Sequence, residues 1–473
     1  ELMASQFLTH TQKIGTFTTN QYRIQKGAEL MAGTPIYIEN DDRSNEIRKQ
    51  IVDLIPKSHK TYTSTQLVVD RAEGVRLWNP EGREFIDFSS GVLVANLGHN
   101  HPYFEEQYAS YIGNLPRNAY NMLTEIEVTA AKRLIKNLNH KKMERVLWSA
   151  CGSSGIIKAI WSALHYHPDR HIILSTKYGF HGKKGLAGDI TGEKSTNPNV
   201  RWIDFIMFAD QRDVREHPSD QDLRIGQQLD ALKREYPNQI SMLVTEPYLG
   251  AKGSFHPPSW YLRQLNDWCN ENNVVFILDE VQSCHGRTGE MYAFQKHGLD
   301  PDLIVMGKGI GNGEPICAVV GRADILDLMD YGEASDTFSG NPRGCAAVVA
   351  ALDTFEKFPI VENCHKMSEI VADQLYKLIE EFEFLGQARG EGLVWGLEIN
   401  AYAGKSANEI ANESVLQAYH HGIHLIGPLA GNVLRISPPL IISHAEVIEG
   451  FNRLYKAFDV ISSMKNNGNL KPY

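Results

Sequence analysis

Hydrophobic and polar positions alternate along this chain in blocks whose period switches between strand-like and helix-like. Between about residues 145 and 321, short apolar runs are separated by amphipathic stretches: "RVLWSA" precedes "IIKAIWSALHYH", "ISMLVTEP" precedes "SWYLRQLNDWCNEN", and "VVFILDE", "DLIVMGK" and "ICAVVG" follow. This alternation predicts an α/β fold, a mostly parallel sheet with helices on both faces. Upstream, "GVRLWNPEGREFIDFSS" holds two alternating runs around the turn-rich "NPEG", the pattern of a β-hairpin. The stretch "IRKQIVDLIP" predicts a short amphipathic helix ended by Pro56, within an otherwise polar arm. Between 360 and 473, two long helical patterns flank "EGLVWGLEI" and "NVLRISPPLII", which predicts a smaller α+β unit. The expected organisation is an arm and the start of the small domain over 1–75, a large α/β domain over 76–355, and a C-terminal small α+β domain over 356–473.

Composition narrows the class. The 473 residues exceed the usual size of a single core, and 42% hydrophobic with 22% charged residues is ordinary for a globular chain. A net charge of -10 lacks the basic footprint of a nucleic-acid binder. The six cysteines, Cys151, Cys269, Cys284, Cys317, Cys345 and Cys364, form no CxxC pair, which suits a reducing cytoplasmic setting. No apolar run approaches the roughly 20 residues of a membrane span, and no signal peptide is expected at the start.

Ligands of parallel sheets bind at the carboxyl ends of the strands, so the chemistry should lie there. "CGSSG" follows an apolar run and opens a helix, where backbone N–H groups and the hydroxyls of Ser153 and Ser154 could hold a phosphate. Lys308 lies between Gly307 and Gly309 after "DLIVM"; small neighbours admit a bulky group to the amine, and a desolvated lysine can attack a carbonyl. Asp279 ends the apolar run "VVFILD", where a carboxylate must find a partner or lose its charge. A phosphate cradle, a carboxylate and an amine match the phosphate, ring nitrogen and aldehyde of pyridoxal 5'-phosphate (PLP). The histidines of "GHNH", "FHG" and "CHG" do not have the company of a metal site, and "GKGIGNG" lacks the order of a nucleotide loop.

From about 75 to 460 the chain resembles the fold-type I, class III PLP-dependent aminotransferases. The likeness is dense in "ILDEVQSCHGRTGEMYAFQKHGLDPDLIVMGKGIGNGEPICAVVG" and continues in "TEPYLGAKGSFHPP", "LGHNHP", "DTFSGNPRGCAAVVAALD" and "LRISPPLII". The resemblance implies that 76–355 is the PLP-binding domain, that Lys308 carries the cofactor as a Schiff base and shuttles the substrate proton, and that Asp279 pairs with the pyridinium. It implies Val281 and Phe180 on the two ring faces, His181 beside Phe180, Gln282 near the phenolic oxygen, and Gly152 and Ser153 at the phosphate. Glu246 falls where the family keeps an acid close to the cofactor, Thr337 where a residue reaches the partner subunit's phosphate, and Arg435 where an arginine takes a substrate carboxylate. A homodimer with a shared active site follows, acting on a small-molecule amine or amino acid and a keto acid, without nucleic acid, membrane or metal. Two departures stand out. Ser154 and Gly155 replace a usual Glu-Ala, and Leu249, Gly250 and Ala251 replace a Gln-Gly-Glu whose glutamate can gate the arginine. The same scaffold also hosts racemases or epimerases, aminomutases, lyases and decarboxylases, and a catalytically silent homologue is a further alternative.

Overall fold

The computed structural model describes residues 35–59, 63–215, 217 and 224–464. At its centre a seven-stranded sheet runs in the spatial order Arg145–Ser149, Cys317–Gly321, Leu303–Met306, Val275–Asp279, Ile240–Thr245, Ile172–Thr176, Val200–Ile203. Cys317–Gly321 is antiparallel to both neighbours and the remaining pairings are parallel. All residues of the five inner strands are buried, which is why these runs are continuously apolar instead of alternating. Along Val275–Asp279, Phe276 and Leu278 enter the core on one face while Val275 and Ile277 enter the core on the other. Each such side chain contributes about 1.5–3 kcal/mol relative to exposure. Asp279 continues the row of Val275 and Ile277, and the helix Gly152–Tyr166 covers that face through Ile156 and Ile160.

The sequence pattern marks five of these strands; Ile172–Thr176 and Val200–Ile203 are additional. The first ends in Ser175 and Thr176, which blunt its apolar signal yet are buried because Ser175 Oγ donates to the Ile190 carbonyl at 2.9 Å and Thr176 Oγ1 meets Thr245 Oγ1 at 3.0 Å. The second is a four-residue edge strand, too short to stand out.

The C-terminal part builds an antiparallel sheet from Leu385–Glu391, Val394–Ile399 and Val433–Ile436. Three helices accompany it, Ile360–Glu381, Ala407–His420 and His444–Ser462, where the sequence pattern suggests two. Ala407–His420 escapes the pattern because it is buried on several sides, through Ile410, Ala411, Ser414, Val415, Gln417, Ala418 and Tyr419, and so lacks a clean polar face. Its start is nonetheless marked by a capping box between Ser406 and Glu409.

The expected hairpin is present, with Arg76–Trp78 antiparallel to Glu84–Asp87. Glu84–Asp87 also runs parallel to Ile423–His424, so Ile86 and Phe88 pack in one core with Leu434 and Phe451. The helix Asp42–Leu54 stops before Pro56. Among the described residues no helix is long and apolar enough to cross a membrane.

Candidate active site

Because the strands run parallel, the segments that follow them emerge at one edge of the sheet. Gly152 and Ser153 follow Arg145–Ser149, Phe180 and His181 follow Ile172–Thr176, Glu246 follows Ile240–Thr245, and Lys308 follows Leu303–Met306. Asp279 closes the central strand. A cavity of about 290 Å³ opens at this edge, lined by Gly152, Ser153, Phe180 and His181, and by Asp279, Val281, Gln282 and Lys308. Eight of the twelve candidate residues singled out in the sequence therefore share one cavity; Ser154, Glu246, Thr337 and Arg435 are not in its lining.

Local backbone constraints explain the glycines here. Lys308 has φ 49°, in the left-handed region that a non-glycine residue seldom occupies. A Cβ on Gly309 would come within 2.3 Å of Asn96 Nδ2, and one on Gly152 within 2.9 Å of Val281 Cγ1. Val281 is thus wedged between the helix start and Gly307, whose Cβ would meet it at 3.2 Å.

Asp279 finds two partners. Its Oδ1 accepts from the Val281 backbone at 3.0 Å and its Oδ2 lies 2.7 Å from His181 Nδ1, which donates to it. Both residues are buried. Neighbouring Glu280 turns away from the cavity and accepts from the backbones of Ala293 at 2.8 Å and Phe294 at 2.7 Å and from Ser283 Oγ at 3.1 Å. Burial nevertheless pushes Glu280 up to about 7.

Glu246 accepts from the Phe180 backbone at 2.8 Å and does not line the cavity. Burial, with Asp279 adding, raises its pKa to about 7 against the opposing charge of His181. Lys308 is lowered to about 8 by burial first and by the Arg435 charge second, with Asp279 and Glu246 opposing. An amine so placed is deprotonated at much lower pH than a surface lysine, which makes it a usable nucleophile.

Arg435 stands behind this group on the strand Val433–Ile436, buried, with Nη2 donating to the Gly250 carbonyl at 2.6 Å and Nε without a protein partner. Burial lowers its pKa, while Tyr248 and Glu246 hold it up. Thr337 is exposed and lies outside the cavity lining of its own chain. The histidines of the three motifs do separate work: His99 pairs with Asp87 at 2.8 Å, His101 caps the helix Pro102–Ile112, and His285 is buried without a hydrogen-bond partner.

The residues fit PLP. The helix Gly152–Tyr166 starts at the cavity without a side-chain cap, so its first backbone N–H groups are available to a phosphate. Gln282 Oε1 is buried without a protein partner, as expected of a group reserved for a ligand. Sequence reasoning did not single out Val94, Glu314, Pro315 or Ile316, which also line the cavity. Nor did it find Asn96, whose Nδ2 donates to the His285 carbonyl at 2.9 Å and whose Oδ1 accepts from Arg287 at 2.6 Å, bracing the Lys308 turn. A conspicuous polar residue in "VLVANLG" was the available signal for Asn96.

Comparison with known proteins identifies the family. The family profile "Aminotransferase class-III" matches residues 57–458. The chain is 29% identical over 411 residues to an acetylornithine aminotransferase of Caldanaerobacter subterraneus, covering 86% of this chain and 97% of the relative. It is 28% identical over 435 residues to a leucine/methionine racemase of Thermococcus litoralis, covering 88% and 95%. Among solved structures, a PLP-bound amine transaminase from an uncultivated Pseudomonas species superposes with a TM-score of 0.74 at 26% identity, covering 86% and 96%. With its fold-type I α/β architecture and a lysine, an aspartate and an open helix start around one cavity, the chain belongs to the class III aminotransferases, which use pyridoxal phosphate.

Proposed function

We propose that this chain transfers an amino group from a carboxylate-bearing amine or amino acid to a keto acid, with Lys308 as both the cofactor's covalent anchor and the proton carrier. The observation that carries the reading is the Lys308 amine, lowered to about 8 and sharing a cavity with Asp279 and the Gly152–Ser153 turn. When bound, PLP supplies an electron sink for the charge left at the substrate carbon. Asp279, oriented by His181, would keep the ring nitrogen protonated; Val281 and Phe180 would confine the ring, and Gln282 would offer it a hydrogen bond. Gly152 and Ser153 would hold the phosphate. Glu246 ties the Phe180 loop to the adjacent strand. Arg435 receives a substrate carboxylate: a buried guanidinium whose Nε has no protein partner gains most from an anionic ligand.

Thr337 completes the phosphate site of a second subunit in a homodimer. Its exposure, and its absence from the cavity of its own chain, support that assignment. All six cysteines are free thiols and five are buried, which suits a cytoplasmic enzyme. Neither nucleic acid nor membrane enters this reading.

Incubating the purified holoprotein with an amine-donor panel and pyruvate or 2-oxoglutarate tests it. One new amino acid per keto product is expected, with K308A inactive and without visible absorbance. K308A turning over at the wild-type rate would overturn the assignment.

A second reading, racemisation of an amino acid, draws support from the likeness to the Thermococcus racemase over 88% of this chain and from Ala251 in place of a gating acid. Loss of optical rotation without any keto acid present favours it over transfer.

A further inference from the structure

Lys158 is a charge in an apolar row. It follows Ile156 and Ile157 on the helix Gly152–Tyr166 and is 3% exposed. A buried ammonium is tolerated when all its protons are taken, and here they are. Nζ donates to the Trp148 carbonyl at 2.7 Å, to Ser339 Oγ at 2.8 Å and to Asp336 Oδ2 at 2.9 Å. Trp148 belongs to an edge strand of the central sheet, and Asp336 and Ser339 flank Thr337. The lysine thus joins a helix whose first residues shape this chain's cavity to a turn that does not line it.

That turn depends on an outside anchor. Phe338 is 60% exposed, and the other ties of the segment lie at the surface: Tyr120 Oη to Ser335 Oγ at 2.8 Å and His165 Nε2 to Glu333 at 3.2 Å. Surface contacts of this kind hold geometry weakly. Downstream the chain is fixed, because a Cβ on Gly340 would come within 2.3 Å of Glu127 Oε1 and Asn341 caps the helix Pro342–Lys357. Lys158 fixes the other side, and its contact is the buried one. The carboxyl of Asp336 is held below its usual range, because the bonds from Lys158 and Ser339 outweigh burial, which acts first and upward.

We propose that Lys158 is a positioning residue for cofactor binding across the dimer: by holding Asp336 and Ser339 it presents Thr337 to the partner subunit's cavity. Each subunit's phosphate-loop helix then sets the phosphate site of the other. The inference rests on the reading that Thr337 acts in the partner subunit.

Titrating the apoprotein with PLP by absorbance tests it. K158M, which keeps length but has no donors, is expected to weaken binding about tenfold. T337A should do the same, and the double variant should be no weaker than T337A alone. Turnover of K158M at saturating cofactor should stay within about twofold of wild type. Amide hydrogen exchange over residues 334–340 of the apoprotein should quicken. D336N, a change at a partly exposed side chain, should repeat the pattern if K158M folds poorly. In mixed dimers of K158M with K308A, the cavity that keeps Lys308 receives Thr337 from the subunit with intact Lys158, so wild-type affinity is expected there. Affinity that stays weak in mixed dimers, an additive double variant, or wild-type binding by both K158M and D336N would overturn the proposal. Wild-type binding by T337A would instead overturn the reading of Thr337 beneath it.

Discussion

At the scale of single residues, the site is a contest between burial and charge. Lys308 shows the outcome most clearly, because desolvation wins over two nearby carboxylates and brings the amine down to about 8. The free amine is the attacking form, so capture of PLP by the apoprotein should quicken about tenfold per pH unit below 8 and level off above it, measured by stopped-flow absorbance. The same shift affects stability. Below about pH 8 the buried amine is charged in both folded and unfolded chains, and the folded apoprotein carries a penalty of roughly 3 kcal/mol that fades as pH rises toward the unfolded value. K308M should therefore melt a few degrees above the wild-type apoprotein at pH 7 by calorimetry. Arg435 gives the matching prediction for substrate. R435M should raise KM for carboxylate-bearing donors by roughly ten- to a hundredfold while leaving simple alkylamines little affected, measured by initial rates.

At the scale of elements, what was legible in the chain was the material of the sheet. Strands buried at every position, such as Val275–Asp279 and Leu303–Met306, announce themselves as apolar runs, and Lys308 stands out because it follows closely on the end of one. The same criterion passed over Ile172–Thr176, whose Ser175 and Thr176 satisfy themselves by hydrogen bonds that no linear pattern displays. Ala407–His420 was hidden for the opposite reason, since burial on several sides erases the period of a surface helix. Asn96 and Lys158 matter through partners far along the chain, Asn96 bonding His285 and Lys158 bonding Asp336, and spacing alone does not reveal such pairs. Adjacent carboxylates also part company here. Asp279 faces the cavity, whereas Glu280 turns inward and ties the strand end to the backbones of Ala293 and Phe294. E280Q keeps one acceptor and loses the other, so it should lower stability by about 1–3 kcal/mol with the cofactor site still formed, read as a lower melting temperature with preserved visible absorbance.

At the scale of the whole molecule, exposed apolar side chains gather where a second subunit is proposed to sit. Leu123 is 97% exposed, Met122 and Tyr120 are each 52% exposed, and Tyr120 is bonded to the turn beside Thr337. Such a patch is costly to leave in water. L123D combined with F338D should reduce the mass seen by light scattering from twice 53.2 kDa toward a single chain, and cofactor affinity should fall with it. The sheet that joins Glu84–Asp87 to Ile423–His424 brings a constraint of a different kind. During synthesis the ribosome releases the first of these strands more than 300 residues before the second, a delay of roughly 20–70 s at ordinary elongation rates. Throughout that interval Phe85, Ile86 and Phe88 have no finished core to enter, so the nascent chain should be a strong client of co-translational chaperones until its last quarter emerges.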